Sequence, residues 1–235
     1  LSRISRIYRN DNGIFTDINA GITGVNTGST SWGDFDNDGD LDLVITGYTG
    51  SLRIAKLYKN DFGTFNEINV DFDGVSASFS NWCDYDNDGD LDILIGGYSS
   101  EVSSGKTILY ENLKNTVNSA PSTPVNLSFS QSQDCLEFSF DPSTDAETPS
   151  AGLTYNIEIN IGDGIVKPSS SDLTTGYKRI PAMGNIQQNT SWILKKDAPD
   201  TVLPQEFIPM TWSVQAVDNG YQGSLFSTAA DTIQN

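Results

Sequence analysis

The chain of 235 residues contains no histidine. That absence removes the usual general base at neutral pH and the commonest nitrogen ligand for zinc. Cysteine is nearly absent as well: Cys83 and Cys135 fall in different halves of the chain, so no bridge between them is expected and neither has an evident activating partner. No Gly-x-Ser-x-Gly elbow is present. Positive charge is scarce, with 13 Lys and Arg against 31 Asp and Glu and a formal charge of −18. A chain without a basic stripe cannot neutralise phosphates, which excludes nucleic acid and anionic membranes as partners. No apolar run reaches the roughly 18 residues of a membrane span, and the first residues lack the charged, apolar and small-residue order of a signal peptide. Hydrophobic content of 37% and charged content of 19% are globular values. Together these absences point away from catalysis.

What the sequence does have is aspartate in two dense clusters. Asp34 to Asp42 reads D-F-D-N-D-G-D-L-D, and Asp84 to Asp92 reads D-Y-D-N-D-G-D-L-D. Five carboxylates in nine residues repel one another unless a cation sits among them. Asp34, Asp36 and Asp38 stand at positions 1, 3 and 5, and Gly39 at position 6 permits a sharp turn. Asp40 at position 7 would offer its backbone carbonyl with its side chain in water, and Asp42 would close the shell. Asp84, Asp86, Asp88, Asp90 and Asp92 repeat the set. A shell of hard oxygens suits Ca²⁺ better than zinc or copper, so two ions are expected, one per loop. A metal-free Asp-Asn-Asp-Gly turn is the alternative for either loop alone. Two near-identical copies in equivalent places favour the metal.

An EF-hand would need Glu at position 12 and flanking helices. Here Ile45 and Ile95 occupy that position, inside L-D-L-V-I-T-G-Y and L-D-I-L-I-G-G-Y. These short β-branched runs predict buried strands.

The loops belong to a longer repeat. Ile7-Tyr8-Arg9-Asn10-Asp11 returns as Leu57-Tyr58-Lys59-Asn60-Asp61, and Leu109-Tyr110-Glu111-Asn112 begins it a third time; Trp32 returns as Trp82, and Gly47-Tyr48 as Gly97-Tyr98. A period near 50 with about four short strands per unit is typical of propeller blades. The D-x-D-x-D-G-x-x-D loop, preceded by S-W-G-D or N-W-C-D and followed by L-D-L-V-I-T-G or L-D-I-L-I-G-G, resembles the FG-GAP repeat in its bacterial VCBS form. The resemblance covers residues 1 to about 114. It implies an integrin-α-like β-propeller fold in which the loop joins adjacent strands of a blade. It also implies Ca²⁺ bound through Asp34, Asp36, Asp38, Asp42 and the Asp40 carbonyl, and likewise through Asp84, Asp86, Asp88, Asp92 and the Asp90 carbonyl. Cys83, where the first copy has Gly33, is assigned a packing role.

Two blades and a fraction cannot close a ring of four to eight. The expectation is therefore a C-terminal fragment of a longer protein or, alternatively, open blades that bury their faces against another chain.

The stretch 115–123 reads as a linker, and 124–235 as a second domain with period-two alternation at Val125, Leu127 and Phe129, at Leu136, Phe138 and Phe140, at Tyr155, Ile157, Ile159 and Ile161, and at Met210, Trp212, Val214 and Ala216. Such strands predict a β-sandwich. P-S-T-P-V-N-L at 121–127, Y-N-I-E-I at 155–159 and W-S-V-Q-A-V-D at 212–218 resemble a fibronectin type III domain, and G-Y-K-R-I-P-A-M-G-N at 176–185 with N-T-S-W-I-L at 189–194 resembles domains that follow VCBS repeats in secreted proteins of Bacteroidota-type bacteria. The fold class is thus all-β throughout.

Weaker signals complete the reading. Asp141, Asp145 and Glu147 share one loop that reads as a solvated turn, with a third cation as the alternative. Asn126 and Asn189 head N-glycosylation sequons, and Asp200-Thr201-Val202 and Asp231-Thr232-Ile233 have the form of O-glycosylation sites. Tyr48, Tyr98 and Tyr221 could stack on sugars, although packing is the commoner role. The expected function is a non-catalytic, extracellular, calcium-binding adhesion or binding scaffold with a protein or carbohydrate ligand at a cell surface. The alternatives are a structural subunit of a fibre or sheath that self-assembles through open blade edges, and an accessory region of a secreted enzyme.

Overall fold

A computed structural model describes residues 3–86, 88–114, 118–132, 134–178, 181–195 and 207–233. Every regular element among them is a β-strand, and no helix is long and apolar enough to cross a membrane. The chain divides into two compact units, Leu1–Val117 and Asn118–Asn235.

The first unit opens with a hairpin of β1 (Tyr8–Asp11) and β2 (Ile14–Asp17). Then come β3 (Asn26–Gly33), β4 (Asp42–Tyr48), β5 (Arg53–Asp61) and β6 (Thr64–Ile68), an antiparallel meander of four neighbouring strands. A second meander follows in β7 (Val75–Cys83), β8 (Asp92–Ser99) and β9 (Ser104–Tyr110). One pair, Ile54 with Val75, joins the two meanders into a continuous sheet. Among the described residues none of the sheets is closed.

The period near 50 is written into the backbone. Matching register shifts lie at 26–29 in β3 and 76–79 in β7, with Thr27 and Ala77 both at φ 47°. A β-branched residue held at positive φ is strained, so the shift is imposed by the surrounding ladder. Asn10 and Asn60 each cap a two-residue turn by accepting the N–H of Gly13 or Gly63, at 2.7 and 2.8 Å. The Tyr58 hydroxyl accepts Thr23 N–H at 3.1 Å, and the Tyr110 hydroxyl accepts Asp73 N–H at 2.9 Å.

Strand β4 is buried almost end to end, as its β-branched run predicts. Its outer side packs with Tyr58 against Ile7, Ile22, Val25 and Phe65. On the other side β7 lies face to face with β3 and β4: Thr46 Oγ1 and Ser78 Oγ are 2.8 Å apart, and the indole of Trp82 covers Gly33. A Cβ at Gly33 would stand 2.7 Å from that ring, so this close approach requires glycine there. In the second meander the equivalent position is Cys83, half-buried.

The second unit has two sheets: β10 (Val125–Gln131), β11 (Cys135–Asp141) and β14 (Ser191–Lys195) in the order β10-β11-β14, and β12 (Thr154–Ile161), β13 (Gly164–Lys167), β15 (Ile208–Val217) and β16 (Ser227–Ile233) in the order β13-β12-β15-β16. Leu136, Phe138 and Phe140 from the first sheet meet Tyr155, Ile157, Ile159, Met210, Trp212, Val214 and Ala216 from the second in one core. Val125 departs from the expected alternation. A register shift between Val125 and Ser128, with Asn126 at φ 54°, leaves Val125 exposed. The polar side of the four-stranded sheet is also not solvated as alternation predicts, since Asn156, Glu158 and Gln215 are buried. The long stretch after β13 covers them. Asn156 Oδ1 accepts Asn185 N–H at 3.0 Å, Glu158 accepts Ser169 N–H at 3.2 Å, and Gln215 Nε2 donates to the carbonyl of Gly176 at 2.5 Å. Asn118 and Ser122, in the expected linker, bond to Asp218 and Thr144 of the second unit; residues 115–117 lie outside the described residues.

Replacing Gly33 by Val is expected to destabilise the first unit by about 1–3 kcal/mol through overpacking against Trp82. A lowered urea midpoint for its unfolding would check this, and a midpoint equal to the parent's would contradict the face-to-face packing.

Candidate metal centre

Each aspartate loop joins two paired strands, β3 to β4 or β7 to β8. Gly39 and Gly89 turn the chain at φ 92° and 93°, a region in which a side chain is strained. The last aspartate of each loop is also the first residue of a strand, and its carboxylate pins the loop to it. Asp42 accepts Phe35 N–H at 3.0 Å with one oxygen and Asn60 N–H at 2.8 Å with the other. Asp92 does the same with Tyr85 at 3.0 Å and Asn112 at 2.8 Å. Asp34 accepts the N–H groups of Asp38 and Gly39 at 3.1 and 2.9 Å, and Asp84 accepts Asp88 N–H at 3.2 Å.

With the backbone so held, carboxylates converge. Asp34, Asp36 and Asp42 each present an oxygen within 4.8 Å of the others, and Asp84, Asp86 and Asp88 do likewise. All six are hard anionic donors, and Oδ1 of Asp36 is buried with no hydrogen-bond partner. This is the donor set of an oxygen-preferring divalent cation, so both clusters could hold a metal ion. The loops do not present their ten aspartates alike. Asp38 is not part of the first convergence; Lys59 lies 2.8 Å from it. Asp92 is absent from the second, although its oxygens accept the same pair of backbone N–H groups as those of Asp42. Asp40 and Asp90 do not have side chains in free solvent as expected: Asp40 accepts Phe62 N–H at 2.8 Å, and Asp90 is buried with Oδ1 unpartnered.

The electrostatics record the crowding. Burial pushes the Asp34 carboxyl up to about 6, against the pull of the Gly39 and Asp38 N–H groups. Burial likewise pushes Asp42 up to about 7, and burial with the nearby Asp88 carboxylate pushes Asp90 up to about 7. Each stands above the ordinary carboxylate value, so the charged form is disfavoured in the fold.

Sequence reasoning missed the residues that answer this charge. Lys59 Nζ lies 2.5 Å from Asp36, 2.8 Å from Asp38 and 3.7 Å from Asp61. Hydrogen bonds to Asp36 and then Asp38 raise its pKa. Lys114 Nζ reaches Asp36 at 3.2 Å. Asn112 Nδ2 donates to Phe35 O of the first loop at 2.8 Å and to Leu91 O of the second at 3.3 Å, so it ties the two loops together. The signal was the Tyr-Lys-Asn-Asp and Tyr-Glu-Asn repeat, which reads in sequence only as a period.

The remaining candidates are dispersed. Asp141 accepts from Asn126 Nδ2 at 2.7 Å, Asp145 from Thr148 N–H at 2.7 Å, and Glu147 from Ser119 N–H at 3.3 Å. Separate partners fit the turn rather than a third cation. The rings of Tyr48 and Tyr98 face arginine: Arg3 and Arg53 lie 5.2 and 5.7 Å from the Tyr48 ring centre, and Arg53 lies 4.8 Å from that of Tyr98. Tyr221 is half-buried. The amides of Asn126 and Asn189 donate to Asp141 and to Ile186 O. Thr232 is exposed on β16, and Asp200-Thr201-Val202 lies outside the described residues. Burial and the Asp92 and Asp84 carboxylates push the Cys83 thiol up, away from the thiolate a nucleophile needs.

Residues 34–95, which span both loops and the strands between them, match the family described as FG-GAP-like repeat. No curated protein matches the chain.

Because the raised carboxyls hold protons that the unfolded chain would release between about pH 4 and 7, they contribute stability at low pH that is lost as pH rises through 7. Metal-free protein is therefore expected to melt higher at pH 5 than at pH 7.5 in scanning calorimetry. A metal-free melting temperature that climbs over that range would contradict the crowding described.

Proposed function

We propose that the first unit is a calcium-stabilised segment of a β-propeller and that the chain acts as a non-catalytic extracellular scaffold for binding or adhesion. The observation that carries this reading is the paired convergence of Asp34, Asp36 and Asp42 and of Asp84, Asp86 and Asp88, each between neighbouring strands, inside the stretch that matches FG-GAP-like repeats. Ca²⁺ in each loop would be held by these carboxylates, replace their mutual repulsion with attraction, and pin one strand to the next. Its role is structural. The four-strand meander of β3 to β6 and the face-to-face packing of β7 on it support the blade assignment. In the second unit, the strand orders β10-β11-β14 and β13-β12-β15-β16 around one core support a fibronectin type III-like sandwich. A ligand of protein or carbohydrate at a cell surface is the partner this architecture suits.

A second reading, a structural subunit of a fibre or sheath, is favoured by one feature. A groove of about 500 Å³ lined by Ile7, Ile22, Val25, Trp32, Leu43 and Ile45 lies on the side of β3 away from β7. Trp32 is the repeat counterpart of Trp82, which covers Gly33, and a neighbouring meander could be covered in the same way.

Calcium at about 100 times its dissociation constant should add about 2.7 kcal/mol per site by mass action. A melting temperature several degrees higher in calcium than in chelator is expected, with Asp36→Ala and Asp86→Ala each reducing the gain. Coincident melts in calcium and chelator would remove the basis of this reading.

A further inference from the structure

The two loops share a backbone and most of a sequence, yet their surroundings carry opposite charge. Strand pairing fixes the comparison. Leu43 pairs with Tyr58 and Ile93 with Tyr110, and the next residue but one, Asn60 or Asn112, donates its N–H to the last aspartate of its loop. The residue between is Lys59 for the first loop and Glu111 for the second. Lys59 sets its ammonium on Asp36 and Asp38. Glu111 places its carboxylate 3.3 Å from the hydroxyl of Tyr85, the residue between Asp84 and Asp86. Lys114, which follows β9 and is near the second loop in sequence, reaches back to Asp36 of the first.

The first loop therefore has five carboxylates answered by two ammonium groups, whereas the equivalent position beside the second carries a carboxylate, held at the hydroxyl of Tyr85. In the second loop Asp90 is only 4% exposed and its Oδ1 has no hydrogen-bond partner, with burial and then the Asp88 carboxylate opposing its charge. At the first loop Oδ1 of Asp36 is likewise buried and unpartnered, but its other oxygen already faces lysine.

We propose that the loops are unequal calcium sites, with 84–92 the tight site whose shape depends on the ion and 34–42 a weak site that Lys59 neutralises internally. The proposal rests on the calcium reading given above. For Ca²⁺ to take Asp36 and Asp38 in the first loop, the Lys59 ammonium must leave them, and any ammonium that stays nearby repels the incoming ion. In the second loop Glu111 adds attraction instead. A unit charge about 6 Å from a divalent ion changes affinity by roughly tenfold even at the dielectric of water.

Calorimetric titration of the full chain with CaCl₂ at low ionic strength tests this. Two classes of site separated by about tenfold or more are expected. Glu111→Lys should weaken the tight class, and Lys59→Gln should tighten the weak class without moving the tight one; Lys114→Gln should act in the same direction as Lys59→Gln and serves if that variant does not fold. Asp86→Asn should abolish the tight class and Asp36→Asn the weak one, which assigns each class to its loop. Two equal sites, or Lys59→Gln and Lys114→Gln isotherms that superimpose on the parent's, would overturn the inequality while leaving calcium binding intact. No calcium uptake at all would instead overturn the calcium reading.

Discussion

Repulsion among carboxylates is the constraint on which the first unit depends. Each of its loops gathers five aspartates where one strand hands over to the next, and several of them are removed from water. Such charge is tolerated only when something positive, or a set of N–H dipoles, is brought to it. The structure supplies those groups in a fixed order. Backbone N–H groups of the loop serve Asp34 and Asp84, the backbone of the neighbouring strand serves Asp42 and Asp92, and lysine serves Asp36 and Asp38. A divalent cation fits where this supply runs short.

The same contacts that manage the charge also join the meanders. Asp42 and Asp92 each bond one residue of their own loop and one 18 or 20 residues further on, at the end of the next strand, so loop shape and strand register are specified together. Asn112 carries the linkage across to the neighbouring loop. The close approach of Trp82 to Gly33 then stacks one meander on the other directly behind the aspartates. A disturbance in either loop is thus felt in the packing between meanders, which is why metal removal and core substitution are expected to act on one unfolding transition.

Much of this is legible in the amino-acid sequence. The aspartate spacing, the β-branched runs after each loop and the period near 50 predicted buried strands behind two equivalent loops, because each signal comes from local chemistry acting on its own segment. What was not legible came from elsewhere in the chain. Lys59 and Lys114 act on Asp36 from 23 and 78 residues away, and no local pattern marks them. In the second unit the alternation of β11 and β15 correctly marked the core, but the burial of Asn156, Glu158 and Gln215 depends on the stretch after β13 folding back over the sheet. Val125 faces out because of a register shift, which a strict period-two reading cannot contain.

The central claim is that the two aspartate loops are built around calcium. Metal content of the full chain after equilibrium dialysis against millimolar CaCl₂ tests it most directly. Two calcium ions per chain are expected, reduced to one by Asp86→Asn. A chain that retains its fold with no bound calcium would contradict it.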